Sequence, residues 1–280
     1  MTAGAAIAIV LLGLFGTLIG SFLNVVVYRV PKGLSIVSPP SACPVCGHAI
    51  RPRDNVPVLS WLLLRGKCRD CQAPISPRYP LVELGTGVFF ALVTWWALSG
   101  VATGETGDTI ASPGVGLLLL AFLYLAAVSV ALALIDLDTH TLPDKIVLPS
   151  YLVGAALLTL SSVLSGDYGT LLTAGIGLVA LWSLYLVLAL AYPGGMGFGD
   201  VKLAGLLGLY LGWLGWGPLA VGAFGAFLLG GIFAIVLVVT KRVSRKGGIP
   251  FGPWMLAGTW VGVLAGEFIW HAYLSSFGLA

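Results

Sequence analysis

Val115–Asp144 reads VGLLLLAFLYLAAVSVALALIDLDTHTLPD. No charge interrupts it from Val115 to Ile135. A hydrocarbon core about 30 Å thick needs about 20 apolar residues per helix, so this run is a membrane span. At its end stand Asp136 and Asp138. Acidic side chains at the edge of hydrocarbon cost energy and mark functional positions by default.

Similar runs recur on both sides. Of 280 residues, 58% are hydrophobic and 9% charged, against about 25% charged in soluble domains. A chain of this size cannot bury that much apolar surface in water, so its solvent is lipid. About eight transmembrane helices are expected, near 4–28, 81–98, 115–135, 146–165, 169–191, 200–213, 216–240 and 252–275. The sixth is short. The first lacks a basic segment before it and runs into Tyr28-Arg29, so it reads as a retained span, not a cleaved signal. The fold class is an all-α polytopic membrane protein.

The 14 basic residues fix an orientation. Eight lie between the first two spans, from Arg29 to Arg78, and Lys145 follows the third. Lys202 opens the sixth, and Lys241, Arg242, Arg245 and Lys246 lie between the last two. Loop 99–114 carries Glu105 and Asp108 and no basic residue. The positive-inside rule puts the basic loops in the cytoplasm and both termini outside.

Three parts follow: a first transmembrane helix at 1–28, a cytoplasmic insert at 29–80, and a membrane core at 81–280. The insert holds all four cysteines, as Cys43-Pro-Val-Cys46 and Cys68-Arg-Asp-Cys71. Two C-x2-C pairs have tetrahedral metal-ligand spacing. Four sulfurs suit zinc and leave no open position, so the expected role is structural. Two disulfides are the competing reading, disfavoured in a reducing cytoplasm. His48 is read as a bystander.

A second acidic cluster, Gly197-Phe198-Gly199-Asp200-Val201-Lys202, sits on the same membrane side as the first. Two carboxylates brought close share one proton, because both cannot easily ionise together. The ionised one activates a water and the protonated one polarises a carbonyl, which is aspartyl-protease chemistry. On a continuous helix Asp136 and Asp138 point about 200° apart, so only one can face a given partner. Spacing alone does not say which. Gly197 and Gly199 allow a tight bend and close approach of a substrate chain. The bland readings are a helix N-cap for Asp200, and solvated acids or caps for Asp138 and Asp144.

Several stretches together resemble the bacterial type IV prepilin peptidases, aspartyl proteases of the G-x-G-D class. These are Gly20-Ser-Phe-Leu-Asn24-Val-Val26 into Tyr28-Arg-Val-Pro31, the cysteine pairs, Ser76–Leu84, Ile135–Asp144 and Gly197–Lys202. The resemblance implies that Asp136, seven residues before Pro143, and Asp200 are catalytic. Asp138, Asp144, Gly197, Gly199, Lys202 and Glu83 are supporting residues. It implies a plasma (inner) membrane enzyme that cuts the basic leader from prepilins and type II secretion pseudopilins, after a glycine at the cytoplasmic boundary. It further implies N-methylation of the new terminus with S-adenosylmethionine, without pointing to the residues that would bind it. The other expected partner is membrane lipid; nucleic acid is not one. The rival readings are a transporter or a non-catalytic component of a secretion system.

Glu83, early in the second span, is read either as lining an active or methyl-donor site or as an interfacial acid paired with Arg78. Glu267 is read as structural. Asn24 is expected to hydrogen-bond across helices, where an unsatisfied amide in lipid is costly.

Overall fold

The computed structural model describes residues 2–99, 113–192, 196–240 and 250–279. Glu105, Asp108 and the basic cluster Lys241, Arg242, Arg245 and Lys246 lie outside them. In lipid, backbone N–H and C=O groups must be satisfied within the segment, so apolar runs become helices. The helices are α1 (Ala3–Arg29), α2 (Leu59–Leu63), α3 (Arg78–Leu98), α4 (Pro113–Thr139) and α5 (Asp144–Ser165). They continue with α6 (Gly169–Ala191), α7 (Phe198–Leu214), α8 (Trp216–Val239) and α9 (Gly252–Ser276). A short 3-10 turn at Pro52–Asp54 and α2 belong to the insert. A long helix stands at each of the eight sequence positions. Six of them, α1, α3, α4, α5, α6 and α8, are long and apolar enough to cross a membrane. The other two are α7, of 17 residues, and α9, which carries Glu267 and His271.

Local chemistry sets the ends. The Thr2 hydroxyl caps α1 by accepting from the Ala5 N–H at 3.3 Å, satisfying an otherwise orphaned donor. α5 closes on Gly166 at φ 72°, the left-handed position that glycine fills without a Cβ penalty. Pro143 precedes Asp144 at the start of α5, so the chain breaks between Asp138 and Asp144.

The chain divides into two compact units. One comprises 1–111 with 122–131, the other 112–121 with 132–280. In the first, α1 packs along α3 through small residues. A Cβ on Gly16 would meet the Phe90 side chain at 2.7 Å, and one on Gly20 the Glu83 Cα at 2.7 Å. Such small residues let membrane helices approach closely. Asn24 Nδ2 donates to the Tyr79 carbonyl at 3.2 Å, the cross-helix bond its amide called for.

In the second unit α7 is the central helix, touching α5, α6, α8 and α9. Every residue from Leu203 to Gly212 is buried. That explains a run too short for an ordinary span: α7 is surrounded by protein and need not match a bilayer thickness. A Cβ on Gly177 of α6 would land on the Gly208 carbonyl of α7. α8 and α9 meet in the same way, with Gly262 against Pro218 and Gly222. The Tyr151 hydroxyl of α5 donates to the Lys202 carbonyl, and Trp213 Nε1 donates to Ser162 Oγ at 2.9 Å.

Gly177→Leu should therefore push α6 off α7 and lower the thermal midpoint in detergent, at a cost of about 1–3 kcal/mol or more. Gly175→Leu, where an added Cβ meets nothing within 4 Å, should leave the midpoint within about 0.5 kcal/mol of wild type. Equal effects would remove the close-contact account of this helix pair.

Candidate active site and metal centre

α4 runs unbroken through both acids, so Asp136 and Asp138 project to different sides. Asp136 is 4% exposed, whereas Asp138 is exposed. The Asp136 Oδ2 accepts from the backbone N–H of Gly252 at 3.0 Å. Gly252 is the first residue of α9. Past Asp136 the helix winds down: His140 takes φ 53° while its N–H donates to the Asp136 carbonyl at 2.8 Å.

Asp200 occupies the first turn of α7. Its Oδ2 accepts from the Gly197 N–H at 3.1 Å, and its own N–H donates to the Gly197 carbonyl at 3.1 Å. This reciprocal pair pins the carboxylate to the start of its own helix. Asp136 and Asp200 border a common neighbour, Leu142. Leu142 fills the space beside them. A Cβ on Gly199 would meet Leu142 Cβ at 3.1 Å, and one on Gly252 would meet Leu142 Cδ2 at 3.3 Å.

The remaining sequence candidates take other places. Lys202 Nζ donates to both oxygens of Asp144 at 2.8 Å, tying the start of α5 to α7. With Asp144 half exposed, such a pair is worth about 1 kcal/mol or less. Glu83 Oε2 accepts from the Val58 N–H at 2.7 Å. Val58 sits at φ 61°, which a β-branched residue adopts only when its surroundings over-determine it. Glu83 thus anchors the start of α2 to α3.

Three residues of this site went unseen in the sequence. Gly252 holds Asp136. Tyr185, 2% exposed, packs against Phe251, the residue before Gly252. Phe251 joins Tyr185 and Phe227 in an aromatic cluster with ring centroids 5.4–6.3 Å apart. The available signal was Pro250-Phe-Gly-Pro253 ahead of an apolar run, which marks a helix start. Nothing in it points to an aspartate 116 residues away.

In the insert, the Sγ atoms of Cys43, Cys46, Cys68 and Cys71 all lie within 4.8 Å of one another, and Cys43 Sγ is 3.7 Å from Cys71 Sγ. A tetrahedral ion with metal–sulfur bonds of about 2.3 Å needs sulfur separations of about 3.8 Å. The four thiols therefore fit a metal ion. The two halves repeat one geometry. Cys43 N donates to the His48 carbonyl at 2.9 Å and Cys68 N to the Ala73 carbonyl at 2.8 Å. Gly47 N donates back to the Cys43 carbonyl at 2.9 Å and Gln72 N to the Cys68 carbonyl at 3.0 Å. The residue after each second cysteine is left-handed, Gly47 at φ 73° and Gln72 at φ 60°. The backbone around Cys43 lowers its pKa to about 6, while the crowded sulfurs beside Cys71 push that thiol up to about 12, so one thiol of the four ionises ahead of the others. His48 is not part of the sulfur cluster.

Two of the arginines read only as topology signals are also internal braces. Arg69 forks onto Asp54 at 2.6–3.0 Å, and Arg51 meets Asp70 at 3.0 Å. The Arg69 guanidinium holds the Asp54 carboxyl below its usual range. The second knuckle is thereby tied to the 3-10 turn that follows the first.

Comparison with known proteins follows the same division. Residues 14–97 match the bacterial peptidase A24 N-terminal domain, and residues 123–235 match the type IV leader peptidase family. Relatives named prepilin leader peptidase/N-methyltransferase cover nearly the whole chain. That of Aeromonas hydrophila is 39% identical over 94% of this chain and 93% of its own. That of Neisseria gonorrhoeae is 37% identical over 95% and 93%, and that of Pseudomonas aeruginosa 36% over 95% and 93%. No solved structure gives a significant match. The chain is a multi-pass membrane protein and belongs to the type IV leader peptidase family.

Purified protein should carry about one tightly held metal ion per chain by elemental analysis, as a closed four-sulfur site takes one. Cys43→Ser should lose most of it, and His48→Ala should keep it. Gln72→Gly should tighten metal retention against a chelator, because the left-handed position costs a side chain about 1–2 kcal/mol. Full metal content in Cys43→Ser would place the ion elsewhere.

Proposed function

We propose that this chain is an aspartyl endopeptidase of the membrane in which Asp136 and Asp200 act as one proton-sharing pair. The observation that carries the reading is a pair of carboxylates from separate helices that border the same residue, Leu142, each with one oxygen held by a backbone N–H. The second oxygen of each is then left for chemistry. The ionised carboxylate takes a proton from water, whose oxygen bonds to the scissile carbonyl carbon. The protonated carboxyl donates to the carbonyl oxygen as charge develops there. When the C–N bond breaks, one carboxyl gives its proton to the leaving nitrogen and the other takes one from a hydroxyl of the tetrahedral diol, so the pair again holds a single proton.

The substrates are membrane-anchored precursors with a short basic leader, a glycine and an apolar helix. The family and the names of the relatives support prepilins and pseudopilins as that class. Cleavage follows the glycine at the cytoplasmic boundary of the plasma membrane. The new terminus is then methylated, with S-adenosylmethionine as donor, a reading supported by the relatives' second named activity. The basic loops face the cytoplasm, both termini face outward, and all eight long helices lie in the membrane, with lipid around them. The division into 1–28, 29–80 and 81–280 stands as the functional organisation. Zinc is the ion of the insert. Held by Cys43, Cys46, Cys68 and Cys71, it would have no open position, so its contribution is to stability rather than to hydrolysis. Asp144 and Lys202 orient α7, and Gly197 and Gly199 let its first turn close around Asp200. A passive scaffold gives no reason for two carboxylates on α4 and α7 each held by a backbone N–H.

The test uses purified enzyme in detergent and a synthetic precursor with such a leader. Asp136→Asn and Asp200→Asn should each lower cleavage about 100-fold or more while remaining monodisperse. Asp138→Asn, altering an exposed acid, should stay within about tenfold of wild type. An active Asp136→Asn or Asp200→Asn enzyme would overturn the dyad.

A further inference from the structure

Gly252 stands at the head of α9, 116 residues from the aspartate it touches. Its N–H is 3.0 Å from Asp136 Oδ2. As the first residue of a 25-residue helix, that N–H has no partner inside its own helix, and the helix dipole adds positive character there. A side chain at this point would displace the Asp136 carboxylate. A Cβ on Gly252 would lie 2.7 Å from Asp136 Oδ2 and 3.3 Å from its Cγ. The preceding residue fixes the helix start in place. Phe251 packs on Tyr185 and Phe227, and a Cβ on Gly230 would meet its ring at 2.9 Å. Pro253 follows in the first turn, where its fixed φ suits a helix start.

We infer that Gly252 is a positioning residue of the peptidase site: its backbone N–H fixes one oxygen of Asp136 and turns the other toward the reaction. This rests on the catalytic role proposed for Asp136. The arrangement mirrors that of Asp200, whose Oδ2 is held by the Gly197 N–H. The difference is that Asp200 is held by its own helix, whereas Asp136 is held by a helix far along the chain. The seating of α9 thereby becomes a condition for an aligned pair.

The experiment compares Gly252→Ala, which adds the clashing Cβ, with Gly252→Pro, which also removes the N–H. Gly231→Ala is the control, since a Cβ there meets nothing within 4 Å. Cleavage of the synthetic leader peptide is followed as kcat and KM across pH. Losing one hydrogen bond to a charged group corresponds to about tenfold or more. Gly252→Ala should lose about that factor in kcat with KM within about twofold. Gly252→Pro should lose more, and both should show one limb of the kcat–pH profile displaced. The profile does not depend on how much protein is folded, so it separates positioning from mere damage. Gly231→Ala should match wild type. Wild-type pH profiles in both Gly252 variants, with Asp136→Asn inactive, would overturn the role of Gly252 alone. An active Asp136→Asn would overturn the dyad and this role together.

Discussion

A carboxylate beside hydrocarbon is stable only if the protein supplies the polar partners that water would have given. Here the partner is the same in kind for both acids, a backbone N–H at the start of a helix. Gly252 at the head of α9 serves Asp136, and Gly197 at the head of α7 serves Asp200. Backbone donors are rigid and carry no charge of their own. They hold each carboxylate without neutralising it, which is what the proposed proton-sharing pair requires. The glycines around the site follow from this. Gly199 and Gly252 both face Leu142, and a Cβ at either would crowd it. The burial of α7 follows as well. A helix presenting Asp200 at a fixed angle is held on every side by protein, and its Lys202 is fixed to Asp144.

The insert solves a different problem. It has little apolar content to bury and no regular sheet, its β structure being the isolated bridges Ala42–Ala49 and Lys67–Pro74. Two knuckles with matching hydrogen bonds bring four sulfurs to one point, and two ion pairs fix the second knuckle against the turn that follows the first. Glu83 then joins the insert to α3 at Val58. An acid that reads in sequence as a possible active-site group is used in this unit as an anchor for a strained turn.

Much of this was legible in the chain because lipid and metal impose simple rules. The eight helix positions followed from apolar run length, and the sulfur cluster followed from C-x2-C spacing. Helical geometry said that Asp136 and Asp138 must diverge, but it could not say which faces inward. That depends on where α9 begins, which no periodicity records. The same limit hid Gly252, Phe251 and Tyr185, whose importance lies in contacts between residues far apart in sequence. It hid the value of Arg51 and Arg69 too: as charges they signal orientation, and only in three dimensions do they become partners of Asp70 and Asp54.

The most direct measurement of the shared-proton pair is the pH dependence of kcat/KM for leader cleavage by the wild-type enzyme in a fixed lipid mixture. One acid and one base acting together require a bell-shaped profile, with one limb for the loss of each form. Replacing either aspartate should abolish the bell, not merely shift it. A flat profile, or a single limb that survives in Asp200→Asn, would contradict the pair and leave Asp136 and Asp200 as neighbours without a common proton.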